Sequence, residues 1–104
     1  MAKCKITVIK KIANQDLIEE YYAFEVPKES DGTCPNLKIG QEFFYTPGDP
    51  VPQGFCPWAW ADINRDVEAL CAGANFDWEK YKGTQIACCT DGMRPVVFKI
   101  ERVD

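Results

Sequence analysis

Near the N-terminus, Cys4, Ile6 and Val8 alternate with Lys3, Lys5 and Thr7. A period of two is that of a strand with one buried and one solvated face. Asn14 to Tyr22 follows as a short helix, with Asp16 in capping position and Glu19 three residues on. Phe24 to Val26 reads as a second strand stopped by Pro27, and Leu37 to Tyr45 as a turn feeding another strand. The breaker-dense run Pro47 to Gly54 is a loop that delivers the chain to Cys56-Pro57-Trp58. Proline suits the first position of a helix, which makes Cys56 the N-cap of a helix over about 57–72. Trp60, Ile63, Val67, Leu70 and Cys71 share one stripe at helical spacing, Asp62, Arg65, Asp66 and Glu68 fall mostly outside it, and Gly73 ends it. Ile86 to Thr90 reads as a strand, Asp91-Gly92 as a tight turn and Val96 to Val103 as the closing strand. The fold class is therefore α+β: an antiparallel, barrel-like or open sheet of the first strand, the Phe43 region and the C-terminal hairpin, with the main helix packed on one side.

The length of 104 residues sets a single domain over 1–104. A hydrophobic fraction of 46% with three Trp, six Phe and four Tyr is enough to build its core. The net charge of −4 argues against nucleic acid as a partner, and Lys3, Lys5, Lys10 and Lys11 read as the solvated side of the first strand. No stretch approaches membrane-spanning length, and lysines break up the first twelve residues where a signal peptide would be apolar. The expected location is the cytoplasm, where thiols are held reduced.

Composition changes the chemical picture most through what it lacks. The chain has six cysteines and no histidine, so imidazole acid–base chemistry and His metal ligation are closed to it. Cys4 and Cys71 lie on the apolar faces of their elements and read as core packing. Cys56, at a helix N-cap, meets unpaired N–H groups and the positive end of the helix dipole, which favour a thiolate. Phe55 and Trp58 beside it could wall in a small ligand. A two-residue turn at Asp91-Gly92 places Cys89 opposite Arg94, on the face carrying Ala87, Val96, Phe98 and Ile100, so Cys89 is a second candidate thiolate. Cys88 faces the other way, and Cys34-Pro35 lies in a loop. Asp62, Asp91 and Arg94 are the polar residues that could support a sulfur site, Arg94 as a bidentate holder of carboxylate or phosphate. Cys34, Cys56, Cys88 and Cys89 together are enough sulfur for zinc or an iron–sulfur cluster, although the chain has no Cys-x-x-Cys knuckle.

The runs Gly54-Phe55-Cys56-Pro57-Trp58-Ala59-Trp60-Ala61-Asp62-Ile63 and Ile86-Ala87-Cys88-Cys89-Thr90-Asp91-Gly92-Met93-Arg94-Pro95, continuing to Arg102, resemble a family of small conserved hypothetical prokaryotic proteins common in anaerobes. The resemblance extends to the opening Lys-Ile-Thr-Val-Ile strand and to the segment from Cys34-Pro35 to Phe43. It maps the family's motif cysteines to Cys34, Cys56, Cys88 and Cys89, with Asp62, Asp91 and Arg94 beside them. It leaves Cys4 and Cys71 outside the motif, and it implies oxygen-sensitive thiol or metal chemistry.

Three functions remain open. The leading one is a thiolate site for a metal ion or cluster. The second is a metal-free thiol site, redox or nucleophilic, acting on a small molecule, with Trp58 on the bound group. The third is a binding domain for a small ligand, a protein or a second copy of the chain, in which the cysteines only pack. There is no glycine-rich phosphate loop and no nucleophile elbow to suggest a kinase or hydrolase.

Overall fold

The computed structural model describes residues 2–103. Alternation at the N-terminus becomes strand β1 (Lys3–Lys11), whose Cys4, Ile6 and Val8 are completely buried. Helix α1 (Gln15–Tyr21) follows, then the short strand β2 (Glu42–Tyr45), helix α2 (Pro57–Cys71), and strands β3 (Thr84–Cys88) and β4 (Val96–Val103). The four strands form one antiparallel sheet in the order β2-β1-β4-β3. The two chain ends of the fold, β1 and β4, thus sit at its centre, in register from Lys3 opposite Val103 to Val8 opposite Phe98. A bulge interrupts the ladder between Val8 and Lys10, and Ile9 there is exposed.

The architecture is α+β, as the patterning predicts, but the barrel alternative is not realised. β2 and β3 are the two edges of an open sheet and do not pair with each other. Helix α2 covers one face. Its Ala59, Ile63, Val67, Leu70 and Cys71 are buried against the inward residues of β1 and β4, with Phe43, Tyr45, Phe55 and Leu37 completing one hydrophobic cluster. The other face is solvated and mixed, with Lys5 between Glu42 and Glu101 at 3.7 and 3.8 Å and with Phe44 and Ile86 exposed. No helix among the described residues is long and apolar enough to cross a membrane.

Cys56 is the N-cap of α2 and Pro57 its first residue, where a missing N–H costs nothing. At the other end Ala72 is the C-cap and Gly73 takes the left-handed φ of 104° that a helix stop favours. Arg102 of β4 holds this end. Its Nη1 donates to the carbonyls of Leu70 and Ala74 at 3.0 and 2.7 Å, supplying cation and donors where α2 leaves acceptors free.

Three local expectations are corrected. Phe24 to Val26 is not a strand; it belongs to the irregular connection between α1 and β2, where Phe24 is exposed and no strand lies alongside. The first helix is capped at Asn14, two residues before Asp16: Asn14 O accepts from the N–H groups of Leu17 and Ile18, while its side chain reaches away to Gly92. Asp91-Gly92 is not a two-residue turn. Cys88 stands opposite Val97, and Cys89 donates its N–H to Val96 O at 3.1 Å, which leaves residues 90–95 as the connection.

Candidate functional site

Three cysteines from three separate segments line one cavity of about 350 Å³: Cys34 from the long connection before β2, Cys56 from the start of α2, and Cys89 just past β3. Leu37, Ala59 and Val96 supply apolar wall, Trp58 stands at the side with 68% of its surface exposed, and Asp91 and Arg94 contribute charge. All three cysteines are half-buried and carry free thiols.

Each sulfur arrives for a local reason. Cys34 follows a turn in which Asp31 Oδ1 accepts from both the N–H and the hydroxyl of Thr33, at 2.9 and 2.6 Å. A few residues on, the fully buried Leu37 pins the same loop into the core. Cys56 occupies the cap position without capping: its side chain makes no hydrogen bond to the helix, leaving the sulfur at the pocket. Cys89 is held by its neighbour across the hairpin, because its Sγ accepts the Val96 N–H at 3.3 Å.

The connection 90–95 is fixed from two sides, and this sets the position of Arg94. On the α2 side, Asp62 accepts from the Thr90 N–H at 2.8 Å and from the Thr90 hydroxyl, which in turn accepts from Trp58 Nε1 at 3.1 Å. On the α1 side, Asn14 donates from its side chain to Gly92 O at 2.7 Å and from its backbone to Met93 O, while Ile12 donates to Pro95 O. Within the loop, Asp91 Oδ1 accepts from the N–H groups of Met93 and Arg94 at 2.9 and 3.0 Å. Asp91 is thus the turn-former of this loop and Asp62 its tether; both shape the pocket through others. Thr90, Asn14 and Tyr22 are the residues that sequence reasoning missed. Asn14 and Thr90 do carry the capping and turn chemistry of their residue types, but their partners lie far along the chain.

Arg94 has few partners. Its guanidinium lies over the Tyr22 ring with 5.1 Å to the centroid, and its Nε stands 3.9 Å from Asp91 Oδ2. That Nε is buried and makes no hydrogen bond among the described residues. The expected pairing of Cys89 opposite Arg94 gives way to Cys89 beside Val96, and Arg94 comes to the pocket from the loop instead.

Cys88 is separated from this group. It lies on the outward face of β3 and is exposed, and partial burial, Cys89 and Asp62 push its thiol above the ordinary range. Among the described residues no three Cys, Asp or Glu side chains are grouped closely enough to hold a metal ion. The set Cys34, Cys56, Cys88 and Cys89 expected for zinc or an iron–sulfur cluster is therefore not assembled in this conformation. Cys4 and Cys71 are core residues, as expected, and they meet: their sulfurs lie 3.1 Å apart between β1 and α2.

No family model, characterised protein or solved structure matches this chain.

Proposed function

We propose that this protein binds a small molecule in the Cys34–Cys56–Cys89 pocket and acts on it through a metal-free thiol, Cys56 and Cys89 being the reacting sulfurs. One observation carries the reading: three thiols from distant segments share a cavity of ligand size, while Cys88, next in sequence to Cys89, stays outside it. Apolar wall from Leu37, Ala59 and Val96 would hold the body of a ligand, with the exposed Trp58 ring closing over it. A thiolate there attacks an electrophilic carbon or the sulfur of a disulfide, and the displaced group leaves with the electron pair of the broken bond. Cytosolic placement belongs to the same reading, since such thiols must stay reduced to react. The resemblance to the anaerobe family implies oxygen-sensitive thiol or metal chemistry and is compatible with this reading.

Timed labelling of reduced protein with iodoacetamide near neutral pH, with each cysteine followed by peptide mapping, tests this. Cys56 or Cys89 is expected to be modified well ahead of the more exposed Cys88. Labelling that merely follows exposure, with Cys88 first, contradicts the proposal. Stoichiometric metal in anaerobically purified protein, with the pocket thiols blocked until a chelator is added, would replace it by thiolate metal binding.

A further inference from the structure

Resting on the reading of the pocket as a thiol site, we infer that its ligand carries an anionic oxygen group, a carboxylate being the simplest, and that Arg94 is the residue that binds it. The guanidinium is placed for such a group, with only the Tyr22 ring and a loose ion pair to Asp91 beside it. Its plane is supported by the Tyr22 ring at 5.1 Å. Its loop is tied down by Asp62, Asn14 and Asp91. Its buried Nε is left without a hydrogen-bond acceptor among the described residues.

A charged donor left without an acceptor is unfavourable, and an acceptor oxygen brought to the guanidinium offsets that cost. Asp91 does not fill the role. Its Oδ1 is already committed to the backbone of Met93 and Arg94, and its Oδ2 remains 3.9 Å from Nε, beyond hydrogen-bond distance. Glu25 and Arg94 both line a smaller cavity of about 190 Å³, and no ion pair joins them among the described residues. Arg94 thus lines two cavities, with one half-satisfied carboxylate beside its guanidinium. A planar fork in that state matches the two oxygens of a carboxylate. The cavity that holds Cys34, Cys56 and Cys89 is thus lined by a cation, Arg94, as well as by the apolar Leu37, Ala59 and Val96.

Two alkylating probes of the same size separate the anion hold from the thiol chemistry. Iodoacetate and iodoacetamide both alkylate the thiolate with a two-carbon group, carboxymethyl or carbamidomethyl, and release iodide, but only iodoacetate carries a carboxylate. The ratio of their rates, measured cysteine by cysteine, is expected to be higher at a pocket thiol than at Cys88. Arg94→Gln should lower that pocket ratio by about tenfold while the iodoacetamide rate at the same thiol is kept. Arg94→Lys retains the charge without the fork and should fall between. A pocket ratio equal to that of Cys88, or one that Arg94→Gln leaves unchanged, overturns the inference. A lack of pocket preference with iodoacetamide itself would sink the thiol reading instead. The anion hold is then still decided by titrating acetate into ¹⁵N-labelled protein and following the Arg94 Nε–H resonance. A saturable shift supports it and a flat response overturns it.

Discussion

Cys88 and Cys89 are chemically identical neighbours that the strand sends to opposite sides, and their contrast is the residue-scale basis of the site. Cys89 keeps its sulfur at the pocket on the Val96 N–H, whereas Cys88 stands outside among groups that raise its thiol above the ordinary range. Asp62 works at this scale too, as the acceptor for both donors of Thr90. Asp62→Ala is expected to cost about 1 kcal/mol of stability, measured by urea unfolding. It should also narrow the labelling difference between Cys89 and Cys88, because the loop start is no longer tied to α2. Cys56 at the cap was legible from a local rule, the placing of proline at the first helical position. Arg94 was legible as a residue but not in its place, since Tyr22 and Asn14, which help define that place, come from the far end of the sequence.

Among the elements, hydrophobic period decides most of what could be read. Alternation in β1 as far as Val8 and in β4 from Val96 to Ile100, with the helical stripe in α2, specifies buried faces, and all three elements form where expected. The hairpin register was misplaced, because its connection is set by the Asp91 turn and by pairing with Ile12 and Asn14, contacts that no short-range signal carries. The difference is two residues, an even slip, so Ala87, Cys89, Val96, Phe98 and Ile100 keep the face assigned to them. The segment before β2 has no period, and the position of Cys34 was legible only as a loop. The tie between β4 and the end of α2 was likewise invisible. Arg102 reaches two α2-end carbonyls as well as Asn75 Oδ1 at 2.8 Å, and it crowds Gly83, where an added Cβ would come within 3.2 Å of its Nη2. Arg102→Ala is expected to lower stability by about 2 kcal/mol in denaturant unfolding. Ile63→Ala, which opens a void in the fully buried centre of the cluster, should cost about 2–5 kcal/mol in the same assay.

For the molecule as a whole, the inner and outer sulfurs have different consequences. The buried pair Cys4 and Cys71 joins the central strand to the helix that covers it. Burial, and then the Cys71 sulfur, push the Cys4 thiol from its ordinary value of 9.0 up to about 12, while the Arg102 charge pulls the other way. Tyr45 is raised as well, first by its hydrogen bond to Glu68 and then by burial. An acid that ionises later in the folded state than in the unfolded chain stabilises fully below its unfolded value. That contribution is lost as pH rises through the folded value. Stability of the reduced protein should therefore decline from pH 9 towards about 12, as followed by thermal unfolding, and Cys4→Ala should flatten the decline. The pocket stands apart from this inner pair, and its defining property is that segments far apart in sequence bring Cys34, Cys56 and Cys89 to one cavity. The most direct measurement is treatment of the reduced protein with a short reagent that bridges two thiols, followed by peptide mapping of the bridged products. Bridges between two of Cys34, Cys56 and Cys89 are the expected result. Bridges that join Cys88 to Cys34 or Cys56, or single adducts alone, would contradict the shared pocket on which the proposed function rests.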